Sequence, residues 1–302
     1  LTSAANGQII CVQTIAMESI VFARSADFAE TLRLLAEPET HVLAGGTDVF
    51  PAAGERPLTG RYVDVTALPA LRAIKPEGDR LRIGAAVTFT DIVKANLPPA
   101  LAALQAAARE VGGVQIQNRG TIAGNLCNAS PAADGVPPLL ILDAEVELAS
   151  IRRTRRLPLG DFIAGNRRTA RARDEIMTAI LVPHPPPTAR STFLKLGARR
   201  YLVISIAMVA VLLDSVDGMV RDARVAVGAC SAAAKRLPDV EQQLIGASAS
   251  AGLGDRIGSE HLAALSPIDD LRASAAYRRD AALMLIRRAI ALCLDQKAGG
   301  IC

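Results

Sequence analysis

Two glycine-rich stretches carry the residues best suited to chemistry in this chain. The first, Ala44-Gly45-Gly46-Thr47-Asp48, directly follows a short apolar segment. Glycines let successive backbone N–H groups turn into one concavity, so this stretch suits a phosphate or pyrophosphate, with Thr47 adding a hydroxyl donor. A plain tight turn would use the same residues. The second stretch runs from Gln117 to Asp134 and reads QNRGTIAGNLCNASPAAD. Small residues at 120, 121, 123 and 124 allow backbone to approach a bulky flat ligand, and Asn125, Ser130 and Asp134 offer polar groups to its edges. An Asn-rich connecting loop is the plainer reading, but the recurrence of Gly, Asn and Asp in an otherwise apolar chain argues for the ligand.

Other chemistries are excluded by what the chain lacks. The five cysteines, Cys11, Cys127, Cys230, Cys293 and Cys302, form no CxxC pair, and the three histidines sit in no HExxH, so no protein-ligated metal or iron–sulfur cluster is expected. Scattered, odd-numbered cysteines suit a reducing cytoplasm. Walker A, GxSxG and GxGxxG sequences are absent, and no catalytic residue is assigned. Aromatic residues make up 3% of the chain with no Trp, which argues against nucleic-acid binding despite a pI near 9.0; the net charge is +4. The longest apolar run, residues 202–213, is far shorter than the roughly 20 residues that span a bilayer.

With 302 residues, half of them apolar and 21% charged, the chain can build two or three domains with their own cores. Residues 1–16 carry no Lys or Arg and do not resemble a charged signal segment; the folded part is expected to begin at Met17. Strands are expected over 19–24, 41–44 and 62–65, with a helix over 26–36 capped by Ser25, giving a small parallel β-α-β-loop-β unit. Residues 71–74 and 80–86 flank a hairpin turn at 76–79, and Thr90 caps a short helix to Ala95. A helix over 101–111 ends at Gly112-Gly113, and residues 114–134 read as one long loop. A helix over 137–143 and strands over 145–150 and 176–183 follow, then a stiff proline-rich linker at 184–188. Residues 192–198, 204–214 and 223–230 read as strands, the middle one as strand or helix, and 232–246 and 275–296 as helices. The arginines at 152, 153, 155, 156, 167, 168, 171 and 173 read as a solvated basic face, or as a docking face for an acidic partner.

Taken together and in this order, AGGTD at 44–48 and NRGTIAGNLCNASPAAD at 118–134 resemble the FAD-binding subunit of the molybdopterin-containing hydroxylases, the xanthine dehydrogenase and aerobic carbon monoxide dehydrogenase family. FLKLGARR at 193–200 and Ala-Tyr-Arg at 276–278 extend the likeness from about Met17 to the end. The resemblance implies an α+β protein: an FAD-binding fold of the vanillyl-alcohol-oxidase type with two α/β subdomains, followed by a C-terminal flavoprotein domain with an antiparallel sheet and helices. The implied boundaries are an extension at 1–16, subdomains at 17–66 and 67–187, and the C-terminal domain at 188–302. It places Leu43, Ala44, Gly45, Gly46, Thr47 and Asp48 on the FAD pyrophosphate, with Thr121, Ile122, Ala123, Gly124 and Asn125 beside them. Asp134 falls on the sugar-ring side, Lys195 near the flavin and Ile204 beside the isoalloxazine. Val111 stands where some relatives carry a ring-stacking Phe, and Ala123 where Gly is commoner, which a negative φ tolerates. Tyr201 is a further candidate to approach the ring. Backbone donors plus a helix N-terminus could hold the pyrophosphate without lysines. Cys127, inside the second stretch, reads as a small buried filler.

The function so implied is electron transfer: FAD on this chain takes electrons from 2Fe-2S clusters on a partner and passes them to NAD, a quinone or oxygen. The partners are an iron–sulfur subunit and a molybdopterin-binding large subunit, as a dimer of heterotrimers, in the cytoplasm. Two alternatives stay open, a free-standing FAD-dependent oxidase or reductase of the same fold and a flavin-free module that keeps it.

Overall fold

A computed structural model describes residues 21–295. The expectations for residues 1–16, Met17, Cys11, Cys302 and the last residue of the final helix lie outside them. The described chain forms an α+β structure with three principal sheets.

The first unit is the expected parallel one. Strands β1 (Val21–Arg24), β2 (Thr40–Leu43) and β3 (Arg61–Asp64) run in the order β1-β3-β2, all parallel. Helix α1 (Phe28–Ala36) is capped by Asp27, whose side chain accepts the Ala29 N–H at 2.9 Å, and not by Ser25. The Ser25 hydroxyl instead accepts the Asp27 N–H at 3.0 Å and donates to Glu30, so it braces the cap from outside. Leu35 turns into a core with Val63, Val65, Leu68 and Leu71, and a short helix α2 (Val49–Ala53) follows the glycine turn.

The second sheet is antiparallel, in the order β4 (Ile74–Glu77), β5 (Arg80–Gly84), β10 (Ile176–Pro183), β6 (Glu145–Ala149) and β7 (Thr154–Pro158). Its first hairpin turns tightly at Gly78-Asp79, so Pro76 and Glu77 belong to β4, an edge strand where proline is tolerated, and Leu71 lies in a 3-10 turn. Thr88, two residues ahead of the expected Thr90, caps α3 (Phe89–Lys94) in a reciprocal box with Asp91. Helix α4 (Ala102–Glu110) stops before Gly112 at φ +53°. The stretch expected as one loop contains two helices, α5 (Val114–Gln117) and α6 (Ile122–Asn128), the latter capped by Thr121. Helices α7 (Val136–Ile141) and α8 (Leu159–Phe162) lead to a small hairpin of β8 (Ile163–Gly165) and β9 (Arg168–Thr169), then to β10 (Ile176–Pro183), in place as expected.

The third sheet comprises β11 (Arg190–Leu196), β12 (Ala207–Val216), β13 (Met219–Gly228) and β14 (Lys235–Arg236), antiparallel and in that order. Along β12, Ala207, Val209, Val211 and Leu213 pack on α10 (Ala275–Asp295), while Met208, Ala210 and Leu212 join the core shared with α4 and α7. Burial on both faces removes the polar alternation, which is why 204–214 reads equally as strand or helix. Residues 232–246 are not one helix: they pass through β14 before α9 (Pro238–Leu244) begins. Pro238 cannot sit inside a helix but is favoured in its first turn.

The basic stretch is only partly a solvated face. Arg155 holds Glu175 through two contacts of 2.7 and 2.8 Å, and Arg82 and Arg156 converge on Glu147 at 2.7 and 2.9 Å. These pairs tie β5, β6, β7 and the lead into β10 together. Burial works to raise the Glu147 carboxyl, but hydrogen bonds from Arg82, Thr178 and Arg156 outweigh it and bring it from 4.5 down to about 2. A folded-state value below the unfolded one stabilises the fold above pH 4.5, and that gain is lost as pH falls toward about 2. Urea unfolding of Glu147→Gln should therefore show a deficit of about 1–2 kcal/mol near pH 6 that narrows by about pH 3. An undiminished deficit at the lower pH would show that the ion cluster is not the source.

Candidate functional site

A cleft of about 920 Å3 opens where the three sheets meet, near the upper end of the roughly 300–1,000 Å3 usual for small-molecule sites. Of the residues singled out above, Ala44, Gly45, Gly46, Thr47, Asp48, Val111, Thr121, Ala123, Gly124, Asn125, Asp134, Lys195 and Ile204 all line it. Leu43 and Ile122 do not: both side chains turn into cores. Tyr201 is exposed outside the wall beneath the Arg200 guanidinium, and its neighbour Leu202 lines the cleft instead.

The two glycine-rich stretches meet backbone to backbone. A Cβ on Gly45 would overlap the Arg119 carbonyl, so only glycine fits there. Gly46 lies at φ +73° in the left-handed region, where a Cβ would also run into the Phe50 ring. The second stretch is fastened from behind, by Phe89 N–H to Gly120 O at 3.1 Å and Ile122 N–H to Val87 O at 3.0 Å. Among the described residues, the N–H groups of Gly45, Gly46, Thr47, Asp48, Thr121 and Ala123 find no protein acceptor. On residues that line a cleft, such a set of donors can receive an anion. The N-terminus of α6 adds less than the sequence suggests. Of its first N–H groups, Ile122 is taken by Val87, Gly124 by the Thr121 hydroxyl at 3.1 Å and Asn125 by Thr121 O, leaving Ala123. Ala123 itself has no positive φ, so a side chain is tolerated there.

The polar side chains are tied to one another. Lys195 on β11 donates to Asp134 at 2.7 Å, with both side chains 7% exposed, and Ser205 donates to the other Asp134 oxygen at 2.9 Å. Burial pushes the Asp134 carboxyl upward, opposed by the Lys195 charge and the hydrogen bonds from Lys195 and Ser205. Each carboxylate oxygen of Asp134 thus already accepts one hydrogen bond from the protein. At the other side, Asp48 accepts from Asn128 at 2.8 Å, and Asn128 accepts from Arg167. Desolvation drives the Cys127 thiol up to about 11, which keeps it protonated near neutral pH, but the residue is only half-buried and lines the cleft, so it is not the buried filler expected.

Sequence reasoning missed Arg167 and Arg171, which it grouped with the basic face and which line the cleft. They come from the β8–β9 hairpin and the segment after it, joined to the site only by tertiary contacts such as Arg167 N–H to Ala129 O at 2.8 Å. Ser205 was missed as well, although it adjoins Ile204 in sequence.

Residues 16–185, more than half of the 302, match the family model "FAD binding domain in molybdopterin dehydrogenase". The chain belongs to that family. Residues 192–292 match the CO dehydrogenase flavoprotein C-terminal domain. The FAD-binding chain is 32% identical over 281 residues to the nicotine 6-hydroxylase medium subunit of Paenarthrobacter nicotinovorans, covering 91% of this chain and 97% of that protein. It is 33% identical over 262 residues to a putative xanthine dehydrogenase FAD-binding subunit of Escherichia coli (strain K12), covering 85% and 90%. Among solved structures it superposes on carbon monoxide dehydrogenase from Hydrogenophaga pseudoflava with a TM-score of 0.85 at 25% identity, over 92% of this chain and 98% of that one. Its relatives are subunits of dehydrogenases, so it is an oxidoreductase component. No helix among the described residues is long and apolar enough to cross a membrane.

The ion pair makes a prediction that differs from the loss of one hydrogen bond. Removing either partner strands a buried charge, so Asp134→Asn and Lys195→Met should each cost about 3–5 kcal/mol of folding stability. The double variant should cost much less than the sum in a urea-unfolding cycle. Additive losses would show that the two groups do not depend on each other.

Proposed function

We propose that the chain holds one noncovalent FAD in this cleft and passes electrons from iron–sulfur clusters on a partner chain to an external acceptor such as NAD, a quinone or oxygen. The observation that carries this reading is that six cleft-lining residues, 45–48, 121 and 123, have N–H groups without a protein acceptor among the described residues. A doubly charged pyrophosphate needs donors in that number, and backbone donors hold it without mobile side chains. Arg167 and Arg171 add positive charge along the same cleft.

The remaining wall suits the rest of the cofactor. Val111, Leu202, Val203 and Ile204 give an apolar surface that keeps water from a flat ring system, and Lys195, fixed by Asp134, sets a positive charge in the same wall. When bound, FAD supplies the capacity to take up and release electrons, and the chain's own groups bind it, orient it and tune it. On this reading the partners are a chain with two 2Fe-2S clusters and a large chain with the molybdopterin cofactor, assembled as a dimer of heterotrimers in the cytoplasm. We further divide the chain into FAD-binding subdomains at 17–66 and 67–187 and a C-terminal domain at 188–302, each holding one of the three principal sheets.

Two measurements test the proposal. Purified chain should be yellow and release FAD on acid precipitation, whereas Gly45→Val, which drives the two loops apart, should lose the flavin together with about 1–3 kcal/mol of stability. The isolated chain should pass electrons from a strong artificial donor to a dye yet oxidise no organic substrate until its partners are present. Turnover of such a substrate by the lone chain at ordinary rates of about 1–1,000 per second would assign it instead to the free-standing flavoenzymes.

A further inference from the structure

Ala-Tyr-Arg at 276–278 supports the family likeness, yet Arg278 touches no part of the cleft wall. It is 3% exposed on α10, and its guanidinium reaches across the end of the third sheet. One terminal nitrogen donates to two carbonyls, Ile206 O at 2.6 Å and Ala229 O at 3.1 Å; the other donates to Asp270 at 2.7 Å. Asp270 is itself fixed, accepting the N–H groups of Arg272 at 2.8 Å and Ala273 at 3.2 Å. Among the described residues, Arg278 Nε is a buried side-chain nitrogen with no partner. The side chain is therefore placed for the two carbonyls and Asp270 at the expense of its own third hydrogen-bonding group.

Those carbonyls belong to the two segments that leave the paired strands toward the cleft. Ile206 directly follows Ile204, which lines the wall, and Ser205, which holds Asp134. Ala229 follows the last residue of β13 in a left-handed turn at φ +61°, and its N–H donates at 2.9 Å to Pro131 O, in the run that leads to Asp134. A single cation thus grips two of the segments by which the third sheet meets Asp134, beside β11, which carries Lys195 to it directly. Guanidinium is the side chain able to do so, because its planar fork offers several donors with fixed directions.

We infer that Arg278, anchored by Asp270, is a positioning residue of the cofactor cleft, holding Ile204 and Ser205 on one side and the 131–134 run on the other in the arrangement that receives the flavin. This rests on the flavin reading given above. It predicts that loosening Arg278 alters the bound flavin itself and not merely the stability of the chain.

The test compares Arg278→Met, Arg278→Lys and Asp270→Asn in the full chain with Ile286→Ala, a buried α10 residue facing away from the cleft that lowers melting temperature by a plain packing loss. Arg278→Met should change the visible circular dichroism of bound FAD and weaken FAD binding about tenfold or more, with Arg278→Lys restoring part of both. Ile286→Ala should leave both as in the parent. Should Arg278→Met fail to fold, Arg278→Lys and Asp270→Asn carry the comparison. A lowered melting temperature with parental dichroism and affinity in every Arg278 and Asp270 variant would overturn the inference. Amide exchange on flavin-free chain separates it from the flavin reading. Faster exchange confined to 204–206, 229 and 131–134 in Asp270→Asn supports the clamp even if the parent takes up no FAD, and unchanged exchange there overturns it.

Discussion

The contact between Gly45 and the Arg119 carbonyl is the constraint on which the site depends, because two loops from different sheets occupy one space with no side chain between them. Both loops keep N–H groups for which the described residues provide no acceptor. The surroundings hold that arrangement. The first loop is fixed because β2 ends at Leu43 and the chain then turns through Gly46 in a left-handed conformation. The second is fixed because Gly120 and Ile122, on either side of Thr121, are hydrogen-bonded to Phe89 and Val87, on either side of the Thr88 cap. Donors without a protein acceptor bond to water or to an acceptor that enters the cleft.

A second coupling crosses the molecule at Asp134. The carboxylate ends the glycine-rich stretch, while Lys195 and Ser205, which hold it, lie on β11 and in the segment before β12. Burial disfavours the ionised acid and the lysine favours it, so the pair is balanced and not simply stabilising. Its value lies in specificity: the third sheet can sit in only one place relative to the second stretch without stranding a charge. The shared apolar core of α4, α7 and one face of β12 supplies the bulk attraction for the same contact.

Much of this was legible in the sequence for identifiable physical reasons. The first unit follows from short β-rich segments around an amphipathic helix, and the two glycine stretches stand out because their composition is costly anywhere else. What stayed hidden was decided by tertiary partners. Thr88 outcompetes Thr90 because Asp91, three residues on, closes a reciprocal box with it, and Asp27 outcompetes Ser25 because it directly precedes Phe28, where its carboxylate reaches the Ala29 N–H. Residues 114–134 show little helical periodicity because α5 and α6 have only 4 and 7 residues, too short for a stripe to appear. Arg167 and Arg171 look like their solvated neighbours, since only the fold of the β8–β9 hairpin turns them toward the cleft. Pro238 was a readable signal that an uninterrupted helix over 232–246 overlooks.

The cleft joins all three principal sheets. Its walls come from all three sheets, so a ligand bound there contacts every unit of the described chain and favours the state in which they are docked. Binding and assembly are then one equilibrium: loosening the junction weakens the ligand, and losing the ligand loosens the junction. The N–H groups of residues 45–48, 121 and 123 are backbone donors, whose charge does not vary with pH, while the Asp134–Lys195 ion pair lies in the cleft wall. On the proposed reading, affinity and tuning fall to different atoms: the backbone donors would hold the phosphates, and the Asp134–Lys195 pair would act on the ring system from the wall.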